Sequence, residues 1–343
     1  MRNVRNILAV SCGYAAAVIG AGFASGQEIV SFFLRYGKGS IIGIILSCVI
    51  FSLFSYAVMS RCIEKQINDY GGFLDSIFHG KFANKVIEYI TIVFALCSLC
   101  VMTACAGEAG AVLFGVRNVY GAAVFAVMCG IIFAIDAKKM MQLNSLLGAV
   151  IIFGIIFSCI YILRFREHQV MSVSGKMVVS GAVYAGYNLL TSGAVLAGMS
   201  RFLKSKGEAL ISSLASGFTL MIMITLIWGV IGIYYGKIQL GEIPMLTMTM
   251  RQNNMLGFLY GIMLIFAVVT TGVANGFVVM DTIGRKAGRG KTSALIAAVG
   301  FCMSGAGFSA LVDSAYRVCG YAGLAVVCVI VIKIFKNMKN VTK

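Results

Sequence analysis

Two short stretches carry the residue types that chemistry needs. The first is IGAGFASGQE, residues 19–28, which sets Gly20, Gly22, Gly26 and a carboxylate, Glu28, inside an otherwise apolar run. The second is LIFAVVTTGVANGFVVMD, residues 264–281. Here Ala267, Thr270, Thr271, Ala274 and Asn275 recur at the spacing that puts them on one helix face. Glycine weakens a helix, and unwinding in lipid frees backbone N–H and C=O groups that must find new partners. Freed N–H groups suit a carboxylate, and freed carbonyls suit a cation. The carbonyl of Ala267 with two adjacent hydroxyls makes half of a hard-oxygen cation site. A plainer reading stands beside each. Gly22 and Gly26 also form a G-x-x-x-G packing motif, and threonines in membrane helices bond back to their own carbonyls. The spacing G-x-G-x-x-x-G with no strand before it is not a dinucleotide loop.

The elements that position these stretches are apolar helices. Sixty per cent of residues are apolar, 12% are charged, and mean hydropathy is +0.95, outside the range of soluble domains. Apolar runs of about 20 residues, each able to cross a hydrocarbon core of about 30 Å, are expected at 7–35, 39–61, 85–114, 119–135, 142–163, 176–200, 209–236, 256–283, 292–311 and 314–335. The fold class is therefore an all-α polytopic membrane protein of ten helices, one domain over 1–343. The N-terminal MRNVRNILAVSCGYAAAVIGAGFA has the charge and apolar stretch of a secretory signal, but the spans that follow favour an uncleaved first helix. With the N-terminus inside, 19 of the 28 Lys and Arg residues fall in inner loops, among them Arg61, Lys138, Lys139, Arg201 and Lys206. Both termini are thus expected to be cytoplasmic, in a cell membrane. The net charge of +16 lies in short loops, which excludes a nucleic-acid surface. The 11 cysteines sit in apolar runs. His79 and His168 both lie in loops, so the C-x-x-C of Cys97 and Cys100 reads as packing rather than a metal site.

The only proline, Pro244, is in a loop, so glycine must do any helix breaking. Breaks are expected in the first span and in the sixth, at SGAVYAGYNLLTSGAVLAG, residues 180–198. Two Gly-interrupted spans five helices apart point to inverted repeats, about 7–163 and 176–335, with discontinuous helices 1 and 6. On the ten spans, the G-A-G-F break and the A-x-x-T-T of the eighth span, the chain resembles the LeuT fold of the amino acid–polyamine–organocation superfamily. GAGFASGQEI is most similar to its YkvI-related bacterial membrane proteins. The resemblance implies a sodium site of Ala267, Thr270 and Thr271 with the carbonyls of Ala16 and Ile19. It also implies a substrate carboxylate received at Gly20, Ala21 and Gly22. Phe23 stands where sodium-coupled relatives hold a second sodium with Asn, which argues against a second ion. The fifth span lacks the lysine that some proton-coupled relatives carry there, which favours sodium.

Two intramembrane acids keep a proton-coupled alternative open. Glu28 lies a turn past the break, and Glu108 shares a small-residue face with Cys100, Thr103, Ala104, Gly107 and Ala111. If that face meets the first span the acids approach, and one holds its proton. Tyr184, Tyr187 and Asn188 of the sixth span are candidate substrate contacts, or bundle packing. The function expected is a secondary active symporter of a small amino acid or related zwitterion. It uses Na⁺ or H⁺ as coupling ion and no cofactor, and works in the bilayer by alternating access. A membrane sensor of an amino acid on the same fold is the rival. A channel needs a polar lining along its length, whereas here the polar groups cluster at one level. An enzyme needs a nucleophile–base or metal set, which the spans lack.

Overall fold

The computed structural model describes residues 2–78, 81–135, 143–164 and 176–341. Lys138, Lys139, Arg166, His79 and His168, and the first residue of the expected span 142–163, lie outside them. All regular elements among the described residues are helical. In chain order they are α1 (Arg2–Val18), α2 (Ala21–Ser25), α3 (Gln27–Phe32), α4 (Ser40–Lys65), α5 (Tyr70–Ile77), α6 (Lys81–Phe114), α7 (Asn118–Ala134) and α8 (Leu143–Leu163). There follow α9 (Met177–Met199), α10 (Lys206–Tyr234), α11 (Pro244–Gln252), α12 (Asn254–Ala287), α13 (Arg289–Ser304), α14 (Phe308–Leu311) and α15 (Arg317–Val341). Each of the ten expected runs falls on one of these helices or on a chain of them. Five, over Ser40–Lys65, Phe82–Phe114, Lys206–Tyr234, Asn254–Asp281 and Phe308–Ile334, are long and apolar enough to cross a bilayer. The chain is a multi-pass membrane protein.

The first span breaks twice. Gly20 is extended (φ −96°, ψ −171°), and its N–H turns to Val18 O (3.0 Å) instead of Ala16 O. The ladder resumes with Ala24 N–H to Gly20 O. It stops again at Gly26, whose φ of +82° is open to glycine at no steric cost. There the Ser25 hydroxyl donates to Gly22 O (2.6 Å) and accepts from Gln27 N–H (3.1 Å), which closes the corner between α2 and α3.

The sixth span corrects the expectation of a second discontinuous helix: α9 is unbroken over its 23 residues. Its glycines serve close approach instead. A methyl on Gly181 would overlap the carbonyl of Gly43 in α4, and one on Gly186 would overlap that of Gly320 in α15. α9 is thus clamped by backbone contact on two sides, the small-residue packing that membrane helices use when burial of apolar area gives no net drive. Irregularity in the second half lies at its end. α13 stops at Ser304, short of the expected 311. Gly307 (φ +88°) opens α14, and residues 312–316 form a π-helical turn before α15. Two short helices occupy expected loops. α5 is capped by Asp69, which accepts from Gly72 N–H (2.8 Å). α11 has Pro244 in its first turn, where a missing N–H costs nothing.

One end of the bundle gathers both terminal segments. Asn6 donates to Phe202 O, Ser200 to Ile67 O, Lys206 pairs with Glu64, and the Lys333 ammonium lies over the Phe78 ring. We call this the termini end and its opposite the far end. If α9 is held by backbone contact, Gly181→Val lowers the melting temperature of the detergent-solubilised protein by several degrees. Overpacking of this kind costs about 1–3 kcal/mol. Gly229→Ala, where a methyl meets nothing within 4 Å, leaves it unchanged. Equal melting temperatures for the two variants would show that α9 and α4 are not in contact there.

Candidate functional site

The site is assembled where the broken first span crosses α12. Gly20 faces Thr271: a Cβ on Gly20 would lie 3.4 Å from Thr271 Oγ1. The Thr270 hydroxyl donates to Ala267 O at 3.1 Å, the back-bond that competes with ion binding, and it brings those two oxygens to the spacing of neighbouring ligands. Ala16 packs on Gly148 of α8, and Ile19 is buried. The fold therefore brings the helix-breaking residues next to the threonine pair. Ala16, Gly20, Thr270 and Thr271 are each half-buried.

On the far side of the break everything is sealed. Ala21, Gly22, Phe23 and Glu28 are buried, the last only 5% exposed. Tyr187 donates a short hydrogen bond to Glu28 Oε2, and the other carboxylate oxygen lies over Gly22, where a methyl would overlap it. Tyr187 stacks on Tyr316 (4.8 Å between centroids) and lies near Tyr184, Phe32 and Phe94 at 5.5–5.9 Å. Tyr184 is fully buried among Phe32, Phe33 and Phe51. Asn188 folds its amide back to Tyr184 O.

Three residues of this region were not singled out in the sequence. Tyr260 of α12 donates to Ala24 O (2.5 Å), satisfying a carbonyl that Gly26 removes from the helix ladder. Ser98 of α6 lies 3.3 Å from the Tyr316 hydroxyl and accepts from Asn275 (2.9 Å), whose amide also donates to Thr271 O (3.0 Å). Polar and aromatic contacts therefore run from Glu28 through Tyr187, Tyr316 and Ser98 to the threonine pair. Tyr316 ends the π turn, whose extra residue shifts it off the face that a 3.6 period assigns. Ser98 is a lone serine between cysteines, with no spacing signal at all.

Glu108 does not join Glu28. It accepts a short bond from Asn118, and with Glu242 it lines a cavity of about 560 Å³ between α6, α7, α13 and the segment 305–307. Glu242 in turn accepts from the N–H groups of Phe308 (2.6 Å) and Ser309 (3.1 Å). The small face of α6 around Gly107 is spent on α7: a Cβ on Gly107 would stand 2.7 Å from Asn118 O. The acid that Glu108 faces is Glu242.

The far end is closed by charge. Asp313 pairs with Arg35 (2.7 Å) and accepts a short bond from Ser31, while Arg317 donates to Ser31 O (2.7 Å) and Tyr36 Oη (3.1 Å).

Comparison with known proteins agrees with this architecture. The chain is 27% identical over 269 residues to the uncharacterized protein YyaD of Bacillus subtilis, covering 76% of each. It is 25% identical over 324 residues to the uncharacterized membrane protein YkvI of the same organism, covering 91% of each. No family model matches. Among solved structures, MhsT in complex with L-phenylalanine superposes with TM-score 0.61 at 16% identity, over 94% of this chain and 87% of that one. A Na⁺-coupled sialic acid symporter in a substrate-bound outward-open state gives 0.60 at 14% identity, over 95% and 78%. A manganese transporter of Eremococcus coleocola gives 0.58 at 13%, over 94% and 77%. The chain has the LeuT fold of these transporters.

The bond from Tyr260 tests the geometry of the break. Tyr260→Phe leaves the buried Ala24 carbonyl without its donor, at a cost of about 1–3 kcal/mol. The expected result is a lower melting temperature with the elution profile kept. An unchanged melting temperature means that the bond is not made.

Proposed function

We propose that the protein is a secondary active transporter of a small amino acid or related zwitterion, coupled to Na⁺ and working by alternating access. The observation that carries this reading is the contact of the broken first span with the threonine pair of α12. The break leaves the carbonyls of Ala16 and Ile19 outside the regular ladder, while on α12 Ala267 O and Thr270 Oγ1 lie 3.1 Å apart and Thr271 Oγ1 lies against Gly20. A hard cation takes several oxygens of this kind. For an ion to bind between these two oxygens, the Thr270 hydroxyl turns its O–H away from Ala267 O and presents a lone pair instead. Gly20 and Gly22 offer the substrate backbone groups without side chains of their own, with the Glu28 carboxylate over Gly22 and with Ala21 and Phe23 beside them.

Exposure supports alternating access. The half-buried Gly20 and Thr271 face each other, whereas the residues beyond them are sealed under the Arg35–Asp313–Arg317 network. That is the pattern of a transporter closed at its far end. With the termini end in the cytoplasm, as the distribution of Lys and Arg implies, it is an inward-facing state. Proton coupling through Glu28 is the second reading, favoured by the burial of that carboxyl. Glu108, bonded to Asn118 in a separate cavity, is a weaker candidate for it.

Reconstituted into liposomes, the protein is expected to accumulate a member of a pooled set of labelled amino acids when Na⁺ is higher outside. Thr270→Ala with Thr271→Ala is expected to abolish the Na⁺ dependence. Uptake driven by pH and indifferent to Na⁺ moves coupling to Glu28. Absence of uptake and of exchange by folded protein favours an amino-acid sensor. Separately, Asp313→Asn loosens the far-end closure. A single cysteine placed at Ser31 is then expected to react several-fold faster with a membrane-impermeant thiol reagent than in the parent, in a background lacking the native cysteines. An equal rate argues against closure by this network.

A further inference from the structure

Among the Asp, Glu, Lys and Arg side chains whose burial is described, Glu28 alone is buried. Its carboxylate has a phenol for a partner, not a base. The titratable groups around it are the phenols of Tyr184, Tyr187 and Tyr316 and the thiol of Cys105. The guanidinium groups of the far end are committed elsewhere, Arg35 to Asp313 and Arg317 to Ser31, Tyr36 and the Phe32 ring, 5.4 Å from its centroid. A carboxylate taken out of water without a counter-charge costs several kcal/mol. An acid kept in such a place, against the Gly22 backbone at the break, implies a cation that arrives there.

The surroundings discriminate among cations. An inorganic ion needs several oxygen ligands at short range; here the carboxylate is joined only by phenol oxygens, within a cluster of the rings of Tyr184, Tyr187, Tyr316, Phe32 and Phe94. Aromatic faces combined with one carboxylate suit an organic ammonium, whose N–H groups pair with the carboxylate while the rings attract its charge and cover its alkyl part. The Gly22 position has no side chain, so nothing on the first span stands between the carboxylate and the break.

We infer that Glu28 is the counter-charge for the ammonium group of the transported solute, so that recognition resides in the amino group. The substrate class is then primary aliphatic amines, amino acids included, and a carboxyl-free amine of matching size is accepted where its N-acylated amino acid is not. This rests on the transporter reading and deepens it. The ion at the threonine pair and the ammonium at Glu28 occupy different places, joined by the contacts through Tyr316, Ser98 and Asn275.

The test uses the full chain in liposomes loaded in turn with four unlabelled pools, and follows exchange of the matching labelled compounds. The first three are the natural aliphatic amino acids, the amines formed by removing their carboxyl groups, and their N-acetyl derivatives. A fourth pool of sugars and carboxylates carries no ammonium. Exchange of the first two pools and not the last two, with at least a tenfold loss of apparent affinity in Glu28→Gln and a smaller loss in Glu28→Asp, is the expected result. Melting temperatures of both variants show whether they are folded, and the choice among pools by the unaltered protein stands even if a variant is not. Exchange that persists in Glu28→Gln while pH-driven accumulation disappears makes Glu28 a proton carrier and overturns the inference. So does exchange of N-acetyl compounds, or of the fourth pool alone, although transport itself then stands. No exchange of any pool removes the transporter reading, and this inference with it.

Discussion

A backbone polar group in hydrocarbon must find a partner inside the protein, and that constraint explains why the first span can be interrupted where it is. The interruption frees groups at two levels, and several are satisfied by named neighbours. Gly20 N–H takes Val18 O, the Ser25 hydroxyl takes Gly22 O, and Tyr260 reaches across from α12 to Ala24 O. The bond from α12 makes the break a tertiary feature. The helix that supplies the threonine pair also holds the broken segment in place.

Glycine serves two opposed purposes in the same bundle. At Gly26 it permits the left-handed conformation that ends a helix, and a methyl there would also stand 2.6 Å from Ile231 Cδ1 and 2.9 Å from Met245 Cγ. In α9 it leaves the helix intact and lets α4 and α15 approach to backbone contact. The rigid, unbroken α9 presents Tyr184 and Tyr187 to the break from the side, so the site has one irregular wall and one regular wall. The π turn at 312–316 brings Tyr316 onto Tyr187 and places Asp313 under Arg35. One local irregularity therefore serves both the aromatic cluster and the far-end closure.

The site divides into a polar level, at Gly20 and the threonine pair, and a sealed aromatic level around Glu28. Between them, Ser98 contacts the aromatic level at Tyr316, Asn275 contacts the polar level at Thr271 O, and the two are bonded to each other. The acid pair of Glu108 and Glu242 stands apart, in a cavity whose second acid is tied to the start of α14.

The amino-acid sequence by itself determined the class, the positions of the apolar runs, the interruption at Gly20–Gly26 and the common face of Ala267, Thr270 and Thr271. Those features follow from local physics: hydrocarbon thickness, the conformational freedom of glycine and the helical period. Only the tertiary structure decided which glycine-rich span unwinds. Gly181 and Gly186 look in sequence like Gly20 and Gly22, and the difference lies in whether a neighbouring backbone closes on them. It also decided that Glu28 meets Tyr187 while Glu108 meets Asn118, and that Tyr260, Ser98 and Tyr316 belong to the site. Tyr316 was hidden by a π turn that breaks the period, and Tyr260 by a bond spanning 236 residues. Such partners are chosen by helix packing, which the spacing along one helix does not encode.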